Sequence, residues 1–197
     1  MIANMELLAN LDTNLYLLIN HLPHPQLLNT VMLLISKSVI VAWAIFFLYI
    51  FGLIFIHKKN AGRGFIFLIV ATLSGFIINS YGFKDLFHRP RPFLTIPSAI
   101  VIQKGMTDYS FPSGHAFSVA LLVVLFIRKR NIFLFVSFYA LLVGFSRIYL
   151  GVHYPLDVVG GYLFGFIYGL SVNHFYERFL SGEEFHILKH HVEEIQN

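Results

Sequence analysis

Long apolar stretches alternate along the chain with short polar connections, and their lengths predict helices. Five stretches, at about 38–56, 64–83, 114–128, 132–150 and 156–176, approach the ~20 apolar residues that carry an α-helix across hydrocarbon. Ahead of them Leu8, Leu11, Leu15, Leu18 and Leu22 recur at steps of three and four, with Asn10, Asp12 and Asn14 between them. This stripe predicts a helix over 4–22, too polar to span and suited to the membrane interface. His24-Pro25 ends it, and residues 26–36 predict a second short amphipathic piece. The two pieces fit equally as a tilted pair tucked under the bundle.

The pattern divides the chain into an amino-terminal interfacial segment (1–37), a transmembrane domain (38–177) and a cytoplasmic tail (178–197). The expected fold is all-α, a polytopic transmembrane helical bundle of about five spans. Composition agrees. The 197 residues are 57% hydrophobic and 12% charged, against about 25% charged in soluble domains, and mean hydropathy is +0.71. The absence of cysteine excludes disulfides and thiolate chemistry. Met1-Ile-Ala-Asn-Met-Glu6 lacks a basic run, so no cleavable leader is expected. The net charge of +4 is small and matters less than where the charges fall; no nucleic-acid partner is expected.

Orientation depends on the short loops. Lys58, Lys59, Arg63, Arg128, Lys129 and Arg130 fall on one side, expected to be cytoplasmic, where Arg178 and Lys189 of the tail join them. Lys37, Lys84, Arg89, Arg91, Lys104 and Arg147 fall on the other side. If several of these serve a binding site, the short loops remain as the topological signal and the site faces outward.

That outward side gathers three clusters. In Lys84-Asp-Leu-Phe-His-Arg-Pro-Arg91-Pro92, Lys84 and Arg91 lie about two helical turns apart; a positively charged membrane edge explains this stretch as well as a site does. In Phe111-Pro-Ser-Gly-His115, Pro112 and Ser113 suit a helix start. The backbone N–H groups of Ser113, Gly114 and His115 would then bind an anion at the positive dipole end. A merely capped helix with an interfacial histidine is the simpler alternative. In Ser146-Arg147 through His153-Tyr-Pro-Leu-Asp157, a helical spacing of four would put His153 and Asp157 on one face. The carboxylate would fix the imidazole tautomer and leave the other nitrogen free to attack or take a proton. Arg147 adds a planar fork suited to phosphate oxygens. Here the alternative is a snorkelling arginine beside a turn braced by a His–Asp pair. Three such clusters on one face of a membrane protein favour function.

Lys84-x6-Arg91-Pro92, Pro112-Ser-Gly-His115 and Ser146-Arg147-x5-His153-x3-Asp157 resemble in full the three-part pattern of the type 2 phosphatidic acid phosphatase superfamily, over roughly residues 30–177. Within it, Ile35-Ser-Lys-Ser-Val-Ile-Val-Ala-Trp43 and Gly144-Phe-Ser-Arg-Ile-Tyr-Leu-Gly-Val-His-Tyr-Pro-Leu-Asp157 look like bacterial undecaprenyl diphosphate phosphatases of the bacitracin-resistance type. The resemblance implies that His153 is a nucleophile forming a phosphohistidine, that Asp157 orients it, and that His115 is the general acid and then the base. It implies that Lys84, Arg91, Ser113, Gly114 and Arg147 bind the phosphoryl group. No cofactor and no metal are expected. The implied partner is a lipid phosphate or diphosphate, with undecaprenyl diphosphate first, in a bacterial inner membrane. Alternatives are a phosphatase of phosphatidylglycerophosphate, phosphatidic acid or lipid A, a lipid phosphotransferase, and, from a different class, a channel.

Other residues bear on the reading less directly. His186, His190 and His191 resemble a metal cluster, but Glu183, Glu184, Glu193 and Glu194 around them read as a solvated helix. His88 and Arg89 read either as contacts to the second phosphate of a diphosphate or as interfacial residues. Gly160, Gly161, Gly165 and Gly169 predict close helix packing, and Tyr149 and Tyr154 predict headgroup anchors.

Overall fold

The computed structural model describes residues 2–57 and 61–179. Lys58, Lys59 and the tail residues, among them His186, Lys189, His190 and His191, lie outside the described residues. All regular structure among the described residues is helical: α1 (Ile2–Asn20), α2 (Gln26–His57), α3 (Ala61–Ile77), a π-helical segment (Ile78–Phe83), α4 (Lys84–Phe87), α5 (Pro92–Thr95), α6 (Gly114–Leu125), α7 (Arg130–Tyr149) and α8 (Pro155–Phe179). Among the described residues, four stretches are long and apolar enough to cross a membrane: Gln26–Leu48, Phe65–Thr95, Arg130–Tyr149 and Pro155–Arg178.

Two elements differ from expectation. Residues 26–36 are not a separate piece, because α2 runs unbroken from Gln26 to His57. The polar residues that suggested a boundary are contacts of a continuous helix: Ser36 is buried and accepts from Arg147, and Asn29 binds His24 and Tyr149. The stretch 114–128 yields a helix of only 12 residues, about 18 Å at 1.5 Å per residue, short of a ~30 Å hydrocarbon core. Its apolarity has another cause. Ala116, Phe117 and every residue from Val119 to Val124 are buried, so α6 is the core helix of the bundle and is apolar on all sides because other helices cover it.

The glycines of α8 seat that helix against α6. A Cβ at Gly161 would lie 2.8 Å from the Ala116 Cβ, and one at Gly165 would lie 2.9 Å from the Phe117 Cα. No side chain fits at that approach.

The leucine stripe of α1 faces away from the protein. Leu7, Leu8, Leu11, Leu15 and Leu18 are all exposed, whereas Asp12, Tyr16 and Asn20, four residues apart, are buried. The helix therefore presents its apolar side outward, as an interfacial helix does to lipid, and its polar side to the bundle. Asn20 ties the 96–104 loop to the end of α7, donating to the Ile100 (2.8 Å) and Tyr149 (3.2 Å) carbonyls and accepting from the Ile100 N–H (2.8 Å). Tyr149 and Tyr154 are buried braces, which corrects the headgroup assignment. The Tyr149 hydroxyl donates to the Pro23 carbonyl (3.0 Å), and that of Tyr154 shares a hydrogen with Thr95 (2.6 Å).

Candidate active site

The start of α6, the end of α7 and the start of α8 meet at one end of the bundle, and the connection after α3 folds across them. The α7–α8 turn depends on Gly151, whose φ of +81° is one that residues with a Cβ rarely adopt. This turn delivers His153. Asp157 sits in the first turn of α8, and its Oδ2 accepts the Tyr154 N–H at 2.8 Å, the return half of a capping box. That hydrogen bond sets the carboxylate beside the imidazole: His153 Nδ1 lies 3.5 Å from Asp157 Oδ2, a contact longer than a good hydrogen bond. The other ring nitrogen, Nε2, lies 3.4 Å from Arg91 Nη1. Burial first, and then the charges of Arg147, Arg91 and Lys84, push the His153 pKa well below its ordinary value of 6.5. The ring is neutral at neutral pH, with a lone pair to offer.

Lys84 and Arg91 do not share a helix, as their spacing suggested. α4 ends after Phe87, His88 turns through φ +48° and Arg91 is extended. The two cations are brought together by Asp108. Arg91 Nη2 donates to its Oδ1 (2.6 Å), Arg91 Nε donates to its main-chain carbonyl (2.8 Å), and Lys84 Nζ pairs with its Oδ2. Arg91 Nη1 also holds the Val152 carbonyl at 2.7 Å, beside His153. Burial raises the Asp108 pKa, but the hydrogen bonds from Lys84 and Arg91 outweigh it and hold the group down at about 2. Asp108 is thus an anion at any working pH, seated on the two cations that the three-part motif would assign to a phosphate. Since its side chain is 51% exposed, it is a displaceable ligand. Asp108→Asn is expected to tighten inhibition by inorganic phosphate about tenfold, the scale of one charge-assisted hydrogen bond, read as a lower Ki in a phosphate-release assay.

Arg147, at the end of α7, is buried. Its Nη1 donates to Ser36 Oγ and Gln103 Oε1, both at 2.5 Å, while its Nε is without a partner among the described residues. At the α6 start, the Ser113 N–H is not free, since it donates to the Asp157 carbonyl at 2.9 Å. That corrects the set of three anion-binding N–H groups to two, those of Gly114 and His115, which open the helix with no carbonyl one turn behind them. The Ser113 hydroxyl is buried and has no hydrogen-bonding partner among the described residues.

Lys84, Arg91, Gly114, His115, Arg147 and His153 line one cavity of about 440 Å³. Ser113 and Asp157 stand behind its wall. The cavity continues along an apolar surface of Val39, Ile40 and Trp43 from α2 and of Leu73 and Phe76 from α3.

Arg89 serves neither of the roles expected of it. It lies between two carboxylates, donating to Asp157 Oδ1 (2.7 Å) and to Asp12 Oδ2 (2.5 Å), with its guanidinium 4.1 Å above the Tyr154 ring. Asp12, from α1, also accepts the Leu156 N–H at 2.8 Å. A relay of charge therefore runs from α1 through Arg89 to the partner of His153, while His88 is exposed beside Tyr109. Asp12→Asn is expected to lower kcat about tenfold with KM little changed, the scale of one lost hydrogen bond to a charged group; steady-state phosphate release checks it. Asp12, Asn79, Gln103 and Asp108 escaped the sequence reading. Asp12 left a trace, as a charge interrupting an amphipathic stripe.

A profile described as the PAP2 superfamily matches residues 63–180. The undecaprenyl-diphosphatase BcrC of Bacillus subtilis is 31% identical over 149 residues, covering 74% of this chain and 74% of its own. A lipid A 4'-phosphatase of Porphyromonas gingivalis is 30% identical over 177 residues, covering 84% of this chain and 72% of its own. The crystal structure of Aquifex aeolicus LpxE superposes with a TM-score of 0.66 at 28% identity, over 82% of this chain and 93% of that one.

Proposed function

The chain belongs to the PAP2 superfamily and is a multi-pass membrane phosphatase; we propose that it removes the terminal phosphate of undecaprenyl diphosphate, independently of metal, through a phosphohistidine on His153. The observation that carries this reading is the cavity in which Lys84, Arg91, Arg147 and two histidines open onto an apolar wall of α2 and α3. A phosphate fits one end and a lipid chain the other.

In the first step the His153 Nε2 lone pair forms a bond to the terminal phosphorus. The phosphorus–oxygen bond to the lipid phosphate breaks, and its electron pair stays on the leaving oxygen, which takes a proton from His115. Burial and the charges of Arg147, Lys84 and Arg91 hold that ring neutral in the free protein, so it is charged by the proton that enters with the anionic diphosphate, whose negative charge offsets those cations. Asp157 stabilises the positive charge that develops on the His153 ring. In the second step His115 takes a proton from water, the water oxygen bonds phosphorus, and the P–N bond breaks to release inorganic phosphate. Lys84, Arg91, Arg147 and the opening N–H groups of α6 balance the charge on the phosphoryl oxygens in both steps. With three fixed cations around the phosphoryl group, the charge-neutralising role often given to a metal is filled by side chains.

The basic loop Arg128–Arg130 lies between the far end of α6 and the start of α7, opposite the site, and Arg128 pairs with Glu177 of α8 at 2.7 Å. If this loop is cytoplasmic, the site opens to the periplasm or cell exterior of a bacterial inner membrane. The similarity to a lipid A 4'-phosphatase keeps a second substrate in view. The test is phosphate release in detergent with excess chelator, comparing undecaprenyl diphosphate, phosphatidylglycerophosphate and lipid A. The expected result is chelator-resistant release, fastest from undecaprenyl diphosphate. A faster rate on another lipid would replace the substrate, and a divalent-metal requirement would overturn the mechanism.

A further inference from the structure

Asn79 is 1% exposed, and neither its amide nitrogen nor its amide oxygen has a hydrogen-bonding partner among the described residues. An unpaired buried amide costs stability, and here both halves are unpaired. The side chain lines the same cavity as Lys84, Arg91, His115, Arg147 and His153. A Cβ on Gly114, the first residue of α6, would lie 3.3 Å from Asn79 Nδ2, so the amide sits beside the helix start that faces the phosphoryl group.

The backbone explains how Asn79 arrives there. It lies in the π-helical segment Ile78–Phe83, where the Lys84 N–H bonds the Asn79 carbonyl, five residues back. In an α-helix, residues five apart point about 140° away from each other. The wider π turn brings them towards one face, and such bulges recur at functional sites. The segment thus aligns Asn79 with Lys84 on the cavity wall. Along this wall the apolar Leu73 and Phe76 come first, Asn79 next and Lys84 last. Asn79 stands between the lipid-facing part of the cavity and the cations that hold the phosphoryl group.

We propose that Asn79 is a substrate-contacting residue that donates its amide N–H to an oxygen of the lipid-linked phosphate, the group that leaves when the terminal phosphate is transferred. This assignment rests on the diphosphate reading above. As the bond to the terminal phosphorus breaks, negative charge grows on the departing lipid phosphate. Asn79 Nδ2 offers a fixed dipole there, while the proton itself comes from His115. The orphaned amide is thereby explained: its partner is substrate, and its cost to the free protein is the cost of preorganisation.

The test uses Asn79→Leu and Asn79→Ala in the full-length protein. For both, kcat/KM on undecaprenyl diphosphate should fall ~10- to 100-fold, the worth of a hydrogen bond to a charged group. The Ki of inorganic phosphate, which occupies only the terminal-phosphate position, should stay within about twofold, on the same scale. The thermal midpoint should hold or rise, because an unpaired polar group has been removed. Unchanged hydrolysis of the diphosphate would overturn the assignment. So would a Ki that weakens as much as kcat/KM falls, since Asn79 would then contact the terminal phosphate. A wild-type protein that releases phosphate only from lipid monophosphates would overturn the diphosphate reading and this assignment with it. Failure in the variants alone leaves the diphosphate reading standing.

Discussion

Replacing His153 by alanine is expected to lower kcat/KM for lipid phosphate release by at least about 10⁴-fold, the scale on which loss of a nucleophile is felt. The size of the effect follows from the absence of a substitute. His115 is the other imidazole lining the cavity, and in the proposed mechanism it is committed to the leaving oxygen. Asp157 stands behind the wall with both oxygens engaged, one by the Tyr154 N–H and one by Arg89. Arg91 and Lys84 are positioned by Asp108 and not by His153, and phosphate displaces that carboxylate in the variant as in the wild type, so the Ki of inorganic phosphate should stay close to that of the wild type. That combination, lost turnover with retained anion binding, separates loss of the nucleophile from collapse of the site. His153→Gln, which keeps more of the side-chain volume, should be equally inactive.

The second large effect is expected at Asp157, where Asp157→Asn should cost ~10³- to 10⁴-fold in kcat, the order found when an amide replaces the carboxylate behind a catalytic imidazole. The volume is nearly unchanged, so the cause is electronic. An amide must choose which neighbour receives its oxygen. If the oxygen stays on the Tyr154 N–H, the NH₂ group meets Arg89, donor against donor. If the NH₂ turns to His153 instead, it makes Nδ1 an acceptor and leaves the proton on Nε2, which removes the lone pair that attacks phosphorus. Arg89 loses one of its two carboxylates in either case. Steady-state phosphate release should show kcat falling far more than KM, because the cations proposed to hold the phosphate are untouched.

How far the sequence foretold this arrangement varies with the kind of signal each residue carries. His153 and Asp157 were legible as a pair because only four residues separate them, although they do not share a helix face: His153 lies in the turn before α8 and Asp157 in the first turn of that helix. Lys84, Arg91, His115 and Arg147 were legible through the three-part motif, although Lys84 and Arg91 come together by a left-handed turn at His88 and a shared carboxylate, with no continuous helix between them. Asp108 was illegible: the 92–111 connection has no periodicity, and its pairing with Lys84 and Arg91 spans 24 and 17 residues. Asn79 was hidden for a different reason, since a π segment changes the face on which residues appear and hydropathy does not register it. The α6 stretch was apolar enough to read as a span because burial under other helices and burial in lipid leave the same pattern. In α1 the periodicity was right, but the leucines face outward and the polar residues hold the site, the reverse of a soluble helix.

The most direct measurement is to trap the phosphoryl-enzyme. Purified protein is mixed with undecaprenyl diphosphate carrying label in its terminal phosphate, in excess chelator, and quenched on the millisecond scale. The expected result is label on the wild-type protein in a bond that is acid-labile and base-stable, and none on His153→Ala. Label retained by His153→Ala, or label that appears only when a divalent metal is restored, would contradict a metal-free mechanism through His153.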